Sequence, residues 1–267
     1  MKKIISLVLL LVLSLSLVGC KKNSIDDKVI VVGASITPHA EILEQARGYI
    51  ESKGYKLDIK TYTDYILPNV ALSEGELDAN FFQHGPYLED YNNKNNTNLI
   101  SVLSVHYEPL GIYAGVSNDI KNIKNGAKIA VPNDSTNYAR SLLLLQALNI
   151  IEVDSTKGLL IKNSDITKNP YNVEIITFNA ASLPAQLSEV DFAVINGNYA
   201  ESSKVDSSKL LAQEDAESVA AKIYANIVVV NKGNENKEAI IVLVEALSQS
   251  NISQFIKEKY HNTVLPL

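Results

Sequence analysis

The sequence predicts an α/β protein of two lobes with a ligand cleft between them. Short apolar strands alternate with amphipathic helices, and they do so in two successive blocks. No repeat period and no glycine-rich phosphate loop interrupts the alternation. At 46% hydrophobic and 20% charged, the 267 residues carry enough apolar content for packed cores.

Each element has a local reason. Val29 to Gly33 is a continuous apolar run ending in glycine, as expected of a strand covered on both faces. Thr37-Pro38 offers an N-cap followed by proline at the first helical position. Ala40, Ile42, Leu43, Ala46 and Ile50 then keep helical spacing. Leu57 to Tyr62 alternates as a strand, Pro68 to Gly75 reads as a short helix, Asp78 to Phe82 as a strand, Pro86 to Asn93 as a helix, and Leu99 to Val105 as a strand. Ile112 to Val116 and Lys128 to Pro132 are further strands, the second opening a new α/β unit. Asn133-Asp134-Ser135 supplies capping side chains for a helix from Ser135 to Leu148, and its four consecutive leucines, 142–145, make that helix a buried one. Val173 to Phe178, Asp191 to Ile195 and Ile227 to Val230 read as strands, and Glu238 to Leu247 and Ser253 to Tyr260 as helices. Residues 149–172 and 201–220 are polar and without period, and read as surface loops with short helices. The expected division is 28–108 with 229–267 in one lobe and 109–228 in the other.

The N-terminus reads as an export signal. Met1-Lys2-Lys3 is basic, Ile4 to Val18 is apolar, and small residues precede Cys20. The apolar run is short for a membrane span. Leu17-Val18-Gly19-Cys20 resembles a bacterial lipobox, which implies removal of 1–19 and acylation of Cys20, with 20–27 as a short polar tether at the extracytoplasmic face of the cell membrane. Cys20 is the single cysteine, so no disulfide is expected and packing must supply the stability.

A net charge of −6, with no basic block, excludes nucleic acid as the natural partner. The sequence lacks a G-x-S-x-G elbow, and no carboxylate pair is placed for acid–base work, so no catalytic residue and no cofactor is expected. The four histidines, His39, His84, His106 and His261, lack metal-ligand spacing. A metal site would require His39, His84 and His106 to meet in three dimensions.

Two stretches stand out. Asp78 to Leu88 packs Phe81, Phe82, His84 and Tyr87 around a Gly-Pro turn; adjacent strand residues point to opposite faces, so one phenylalanine belongs to the core and the other to a cleft. Asn133 to Arg140 places Asn137 and Arg140 on one helix face near a helix N-terminus, where an anion is favoured and a guanidinium can grip a carboxylate.

The aromatic stretch Asp78–Leu88, with Thr37–Leu43, Asp64–Leu72, Val105–Gly111, Ile129–Asn137 with Arg140–Gln146, Asp191–Ala200 and Ala225–Val230, resembles the NlpA/MetQ family of substrate-binding lipoproteins, the methionine receptors of ABC importers. The resemblance spans the chain after the leader. It implies a periplasmic-binding-protein type II-like fold with a hinge between the lobes, methionine, as the L- or D-isomer, as ligand, a permease and through it an ATPase as partners, and a monomeric receptor. The residues matching the family's pocket are Tyr65, Phe82, His84, Tyr87, Asn137, Arg140, Asn196 and Asn226. On that reading Arg140 holds the α-carboxylate with Asn137, Asn196 and Asn226 serve ammonium and carboxylate, and Tyr65, Phe82 and Tyr87 wall the thioether. His84 orients or lines that wall. Ser135 stands where the family has proline, and Ala139 where it has glycine before the arginine. Other small amino acids or short peptides are the alternative ligands.

Overall fold

A computed structural model describes residues 28–215, 222–261 and 263–267. The expected leader, tether and Cys20 lie outside the described residues. The chain first runs β1 (Val29–Ser35), α1 (Glu41–Ser52), β2 (Lys56–Tyr62), α2 (Leu67–Ser73), β3 (Ala79–His84), α3 (Gly85–Asn95) and β4 (Leu99–Tyr107). It then crosses to β5 (Gly111–Ala114), β6 (Lys128–Pro132), α4 (Ser135–Ala147), β7 (Glu152–Val153), β8 (Ile166–Lys168), β9 (Glu174–Phe178), β10 (Phe192–Ile195), α5 (Gly197–Ser202) and β11 (Leu210–Gln213). It returns as β12 (Ala225–Asn231), α6 (Glu238–Leu247), α7 (Ser250–Tyr260) and β13 (Leu265–Pro266).

Two sheets result, ordered β13-β4-β12-β3-β1-β2 and β11-β5-β10-β6-β9, with β7 and β8 forming a separate pair. The continuous apolar strands are explained by cover on both faces. In β12, Val228 and Val230 face the core built with α1, α6 and α7, while Ile227 and Val229 face the cluster containing Leu72 and Leu88 of α2 and α3. β10 repeats the pattern: Phe192 and Val194 pack in one cluster of the second lobe, Ala193 and Ile195 in the other. Among the described residues no single helix is long and apolar enough to cross a bilayer; the apolar residues of α6 and α7 enter the first core.

Three local expectations need correction. Thr37 does not cap a helix through its side chain. It is extended (φ −135°, ψ 140°) directly before Pro38 in the helical turn Ile36–Ala40 that leads into α1, and its Oγ1 donates to the Glu41 carboxylate at 2.6 Å. The return to the first sheet was expected after 228, but β12 already begins at Ala225, paired to Tyr107 of β4. The stretches expected as loops contain β7, β8 and the edge strand β11.

Gly115 sits where β5 ends. Its N–H donates to Asp191 O at 2.9 Å, and a Cβ there would lie 2.1 Å from Val190 O and 2.9 Å from Asp191 O and Leu187 O. Backbone carbonyls on three sides cannot rotate away as a side chain can. Gly115→Ala is therefore expected to lower unfolding stability by about 1–3 kcal/mol or more, read by urea denaturation. A midpoint equal to that of the parent would show that the strand end relaxes freely.

Candidate functional site

The carboxyl ends of β3, β6 and β10 converge between the two sheets, the position where α/β proteins bind small ligands. A cavity of about 350 Å³, counting its mouth, lies there. All eight residues matched to the family pocket line it.

On the first-lobe side, a buried amide network fixes β3 against α2. Asn69 Nδ2 donates to Gln83 Oε1 at 2.8 Å, and Gln83 Nε2 and Asn80 Nδ2 both donate to Asn69 Oδ1, at 2.7 and 2.8 Å. Phe81 is wholly buried in the first core and Phe82 faces the cavity, at the point where the pairing of β3 with β12 shifts register between Gln83 and Phe81. Tyr65, Phe82 and Tyr87 form an aromatic wall with ring centroids 5.9–6.1 Å apart, and Tyr87 Oη donates to Tyr65 O at 2.9 Å. Tyr65 Oη also reaches across to Asn198 Oδ1.

On the second-lobe side, Asp134 caps α4 by accepting from the Asn137 N–H at 2.9 Å. It also accepts from Asn137 Nδ2 at 3.1 Å. A carboxylate only accepts, so Asn137 Oδ1 must face away from it. That oxygen meets Asn196 Nδ2 at 3.0 Å and His84 Nε2 at 3.3 Å. His84 Nδ1 accepts from the Tyr87 N–H at 3.2 Å, so the ring carries its proton on Nε2 and bridges the two lobes as a donor. The role of His84, left open by the sequence, is thus to cap α3 and to hold Asn137.

Arg140 is already paired within the protein. Its Nε and Nη2 form a fork on Glu214, at 2.8 and 2.6 Å, and Nη2 also donates to Glu108 O at 2.8 Å. The guanidinium lies over the Tyr224 ring, 4.3 Å from its centroid. Nη1 takes no part in the fork. Glu214 further accepts from Tyr107 Oη at 2.6 Å and Leu110 N–H at 2.9 Å, which ties both crossover segments to Arg140. Burial alone would raise the Glu214 carboxyl, but the charge and hydrogen bonds of Arg140 hold it below the usual carboxylate range.

Glu108 is a second residue the sequence did not single out. It lines the cavity, accepts from His106 Nε2 at 2.8 Å and from the Asn198 N–H at 2.8 Å, and lies 3.6 Å from His39 Nε2. Burial would raise its carboxyl too; the His106 hydrogen bond and the neighbouring His39 bring it below the usual range. His39 Nε2 meets Asn226 Oδ1 at 3.0 Å, which uses one of the two acceptor sites of that carbonyl.

The structure also revises the metal alternative. His39, His106 and Glu108 place potential ligand atoms within 4.8 Å of one another, and His84 is not among them. The trio is spent on the hydrogen bonds just described. Neither His39 Nδ1 nor His106 Nδ1 has a partner among the described residues, whereas a metal-bound imidazole is ordinarily held by an acceptor on its other nitrogen. The geometry favours a hydrogen-bonded cluster.

Burial, reinforced by Arg140, pushes His84 down to about 3; burial, with a smaller contribution from His106, pushes His39 down to about 4. Both rings are neutral in the fold, while the unfolded chain takes up protons near 6.5. Protons therefore favour unfolding below that value. Stability is expected to fall as pH drops from 6.5 toward 4, by about 1.4 kcal/mol per pH unit for each ring. The depressed carboxyls of Glu108 and Glu214 add to the loss only below their ordinary 4.5. Urea midpoints that stay constant between about pH 7 and 5 would contradict this.

Residues 30–267 match the model of the NlpA lipoprotein family. The chain is 38% identical over 277 aligned positions to the methionine-binding lipoprotein MetQ of Bacillus subtilis, covering 100% of this chain and 99% of that protein. A solved lipoprotein from Ruminococcus gnavus superposes with a TM-score of 0.88 at 46% identity, over 90% of this chain and 99% of the other. The substrate-binding protein of a methionine transporter from Streptococcus pneumoniae superposes with a TM-score of 0.84 at 28% identity, over 90% and 96%. With its two sheets, its cleft and this match along nearly the whole described chain, the protein belongs to the NlpA lipoprotein family of substrate-binding proteins and has their two-lobed fold.

Proposed function

We propose that the chain is a receptor that captures methionine and delivers it to an ABC importer, acting as a carrier and not as a catalyst. The observation that supports this most directly is the cavity itself, an aromatic wall of Tyr65, Phe82 and Tyr87 facing a polar wall of Arg140, Asn137 and Asn196. A thioether packs well against aromatic rings, and the polar wall suits the charged end of an amino acid. Relatives named as methionine-binding lipoproteins and as the binding protein of a methionine transporter favour the same ligand.

In this reading Nη1 of Arg140 receives the ligand carboxylate. The two lobes close about the crossover segments, and the closed form is what a permease, with its ATPase behind it, recognises. Acylation of Cys20 would hold the monomeric receptor at the extracytoplasmic face of the membrane, at high effective concentration beside its permease. Calorimetric titration of ligand-stripped protein against L- and D-methionine and other amino acids tests the assignment. At least one isomer is expected to bind below about 10 μM. At 100 times its dissociation constant it should stabilise the fold by about 2.7 kcal/mol. Tighter binding of a different amino acid, with neither isomer reaching that affinity, would reject methionine.

A further inference from the structure

The charges around the cavity do not cancel. Arg140 is the single cation among the residues lining it, and its fork is already neutralised by Glu214. Glu108 is then a buried carboxylate with no Arg or Lys side chain bonded to it among the described residues; it accepts from the Asn198 N–H and from His106 Nε2. A second proton on His39 would sit on an Nδ1 that has no partner among the described residues, a buried unpaired donor. His39 Nε2 faces Asn226 Oδ1 and His106 Nε2 faces Glu108.

One acceptor is also left over. The relay from Asp134 through Asn137 fixes Asn196 with its amide nitrogen bonded and its Oδ1 unpaired, although Asn196 is only 6% exposed. Asn196 and Glu108 are brought together by Gly197, where a Cβ would come within 3.1 Å of Glu108 Oε2. A carboxylate has about four lone-pair sites, and two of those on Glu108 are used. A buried anion with spare acceptor capacity, beside a buried carbonyl that lacks a donor, calls for a cation that donates several hydrogen bonds. A primary ammonium is such a group.

We propose that Glu108, together with the side-chain carbonyl of Asn196, recognises the ligand's ammonium, and that this positive group, more than the carboxylate, is the charge the cavity selects. The proposal rests on the methionine reading and adds a specificity rule to it. Glu214 already faces Arg140, so a ligand carboxylate gains less there than it would from an unpaired guanidinium. A ligand lacking the ammonium leaves Glu108 and Asn196 buried and unserved.

Three ligands titrated against the unmodified protein test the rule: L-methionine, its amide (ammonium kept, carboxylate neutralised) and 4-(methylthio)butanoate (carboxylate kept, ammonium removed), at a pH where the amines are protonated. The amide is expected to bind at least about tenfold tighter than the des-amino acid. In Glu108→Gln, which can still accept from the Asn198 N–H, that ratio is expected to collapse toward one, with the melting temperature reporting that the fold persists. Should that variant fail to fold, the comparison in the unmodified protein decides. Methionine bound, with the des-amino acid equal to or tighter than the amide, overturns the rule and leaves the methionine reading standing. A well-folded Glu108→Gln with an unchanged ratio overturns the role of Glu108. No methionine binding at all overturns both.

Discussion

Arg140→Ala is expected to lose methionine affinity by roughly 30-fold to several thousandfold, about 2–5 kcal/mol, and to destabilise the fold as well. The two effects have different origins. Binding falls because Nη1, the part of the guanidinium outside the Glu214 fork, is the group assigned to the ligand carboxylate. Stability falls because Glu214 is left buried without its charge partner, and breaking a buried pair from one side costs about 3–5 kcal/mol. Removing both charges separates them. Arg140→Met with Glu214→Gln is expected to recover much of the lost stability and none of the affinity. Urea unfolding and calorimetry on the single and double variants check the pair of statements, and near-parental affinity in Arg140→Ala would remove Arg140 from the ligand's contacts. Loss of affinity in that variant remains compatible with Glu108 as the stronger selector: an unpaired Glu214 adds a second buried anion beside the ligand carboxylate.

The legibility of this site followed the range of the interactions. Helix faces and strand alternation are local, so β6, α4, β10 and α6 were readable from apolar spacing, and Asp134 from its place before a helix. The start of β12 was not readable, because Ala225 and Asn226 precede the apolar run and are held in the strand only by β3 and β4. Glu214 sits in a polar stretch without period, and its partner Arg140 is 74 residues away, a distance that only the return of the chain closes. Glu108 lay within a stretch that resembles the family, yet its importance comes from His39, His106 and Asn198 arriving from three other segments. The histidines make the same point. The metal alternative needed His84 to meet His39 and His106 in space, whereas the fold spends both nitrogens of His84 on α3 and Asn137. Backbone period fixes which face a side chain takes; tertiary topology decides which partner it meets there.

Phe81 and Phe82 turn that distinction into a measurement. They are adjacent on β3, equally large and both buried, so composition and exposure do not separate them. Phe81 faces the first core, edge-on to the His39 and His106 rings at 4.7 and 5.3 Å. Truncation there opens a cavity that the surrounding strands cannot refill, and Phe81→Ala is expected to cost about 3–5 kcal/mol of stability. It also loosens the two rings that position Glu108, so some affinity goes with it. Phe82 faces the ligand cavity, beside Tyr65 and Tyr87. Its truncation enlarges a space that already exists, so less packing is lost, while the ligand side chain loses an aromatic wall. Phe82→Ala is expected to weaken methionine by about 1.5–3 kcal/mol, roughly ten- to a hundredfold, with the smaller stability loss of the two. Unfolding midpoints and titrations on both variants read the contrast. Reversed behaviour, with Phe82→Ala the less stable protein and Phe81→Ala the weaker binder, would mean that β3 is out by one residue in register, which would move every side chain of the strand to the opposite face.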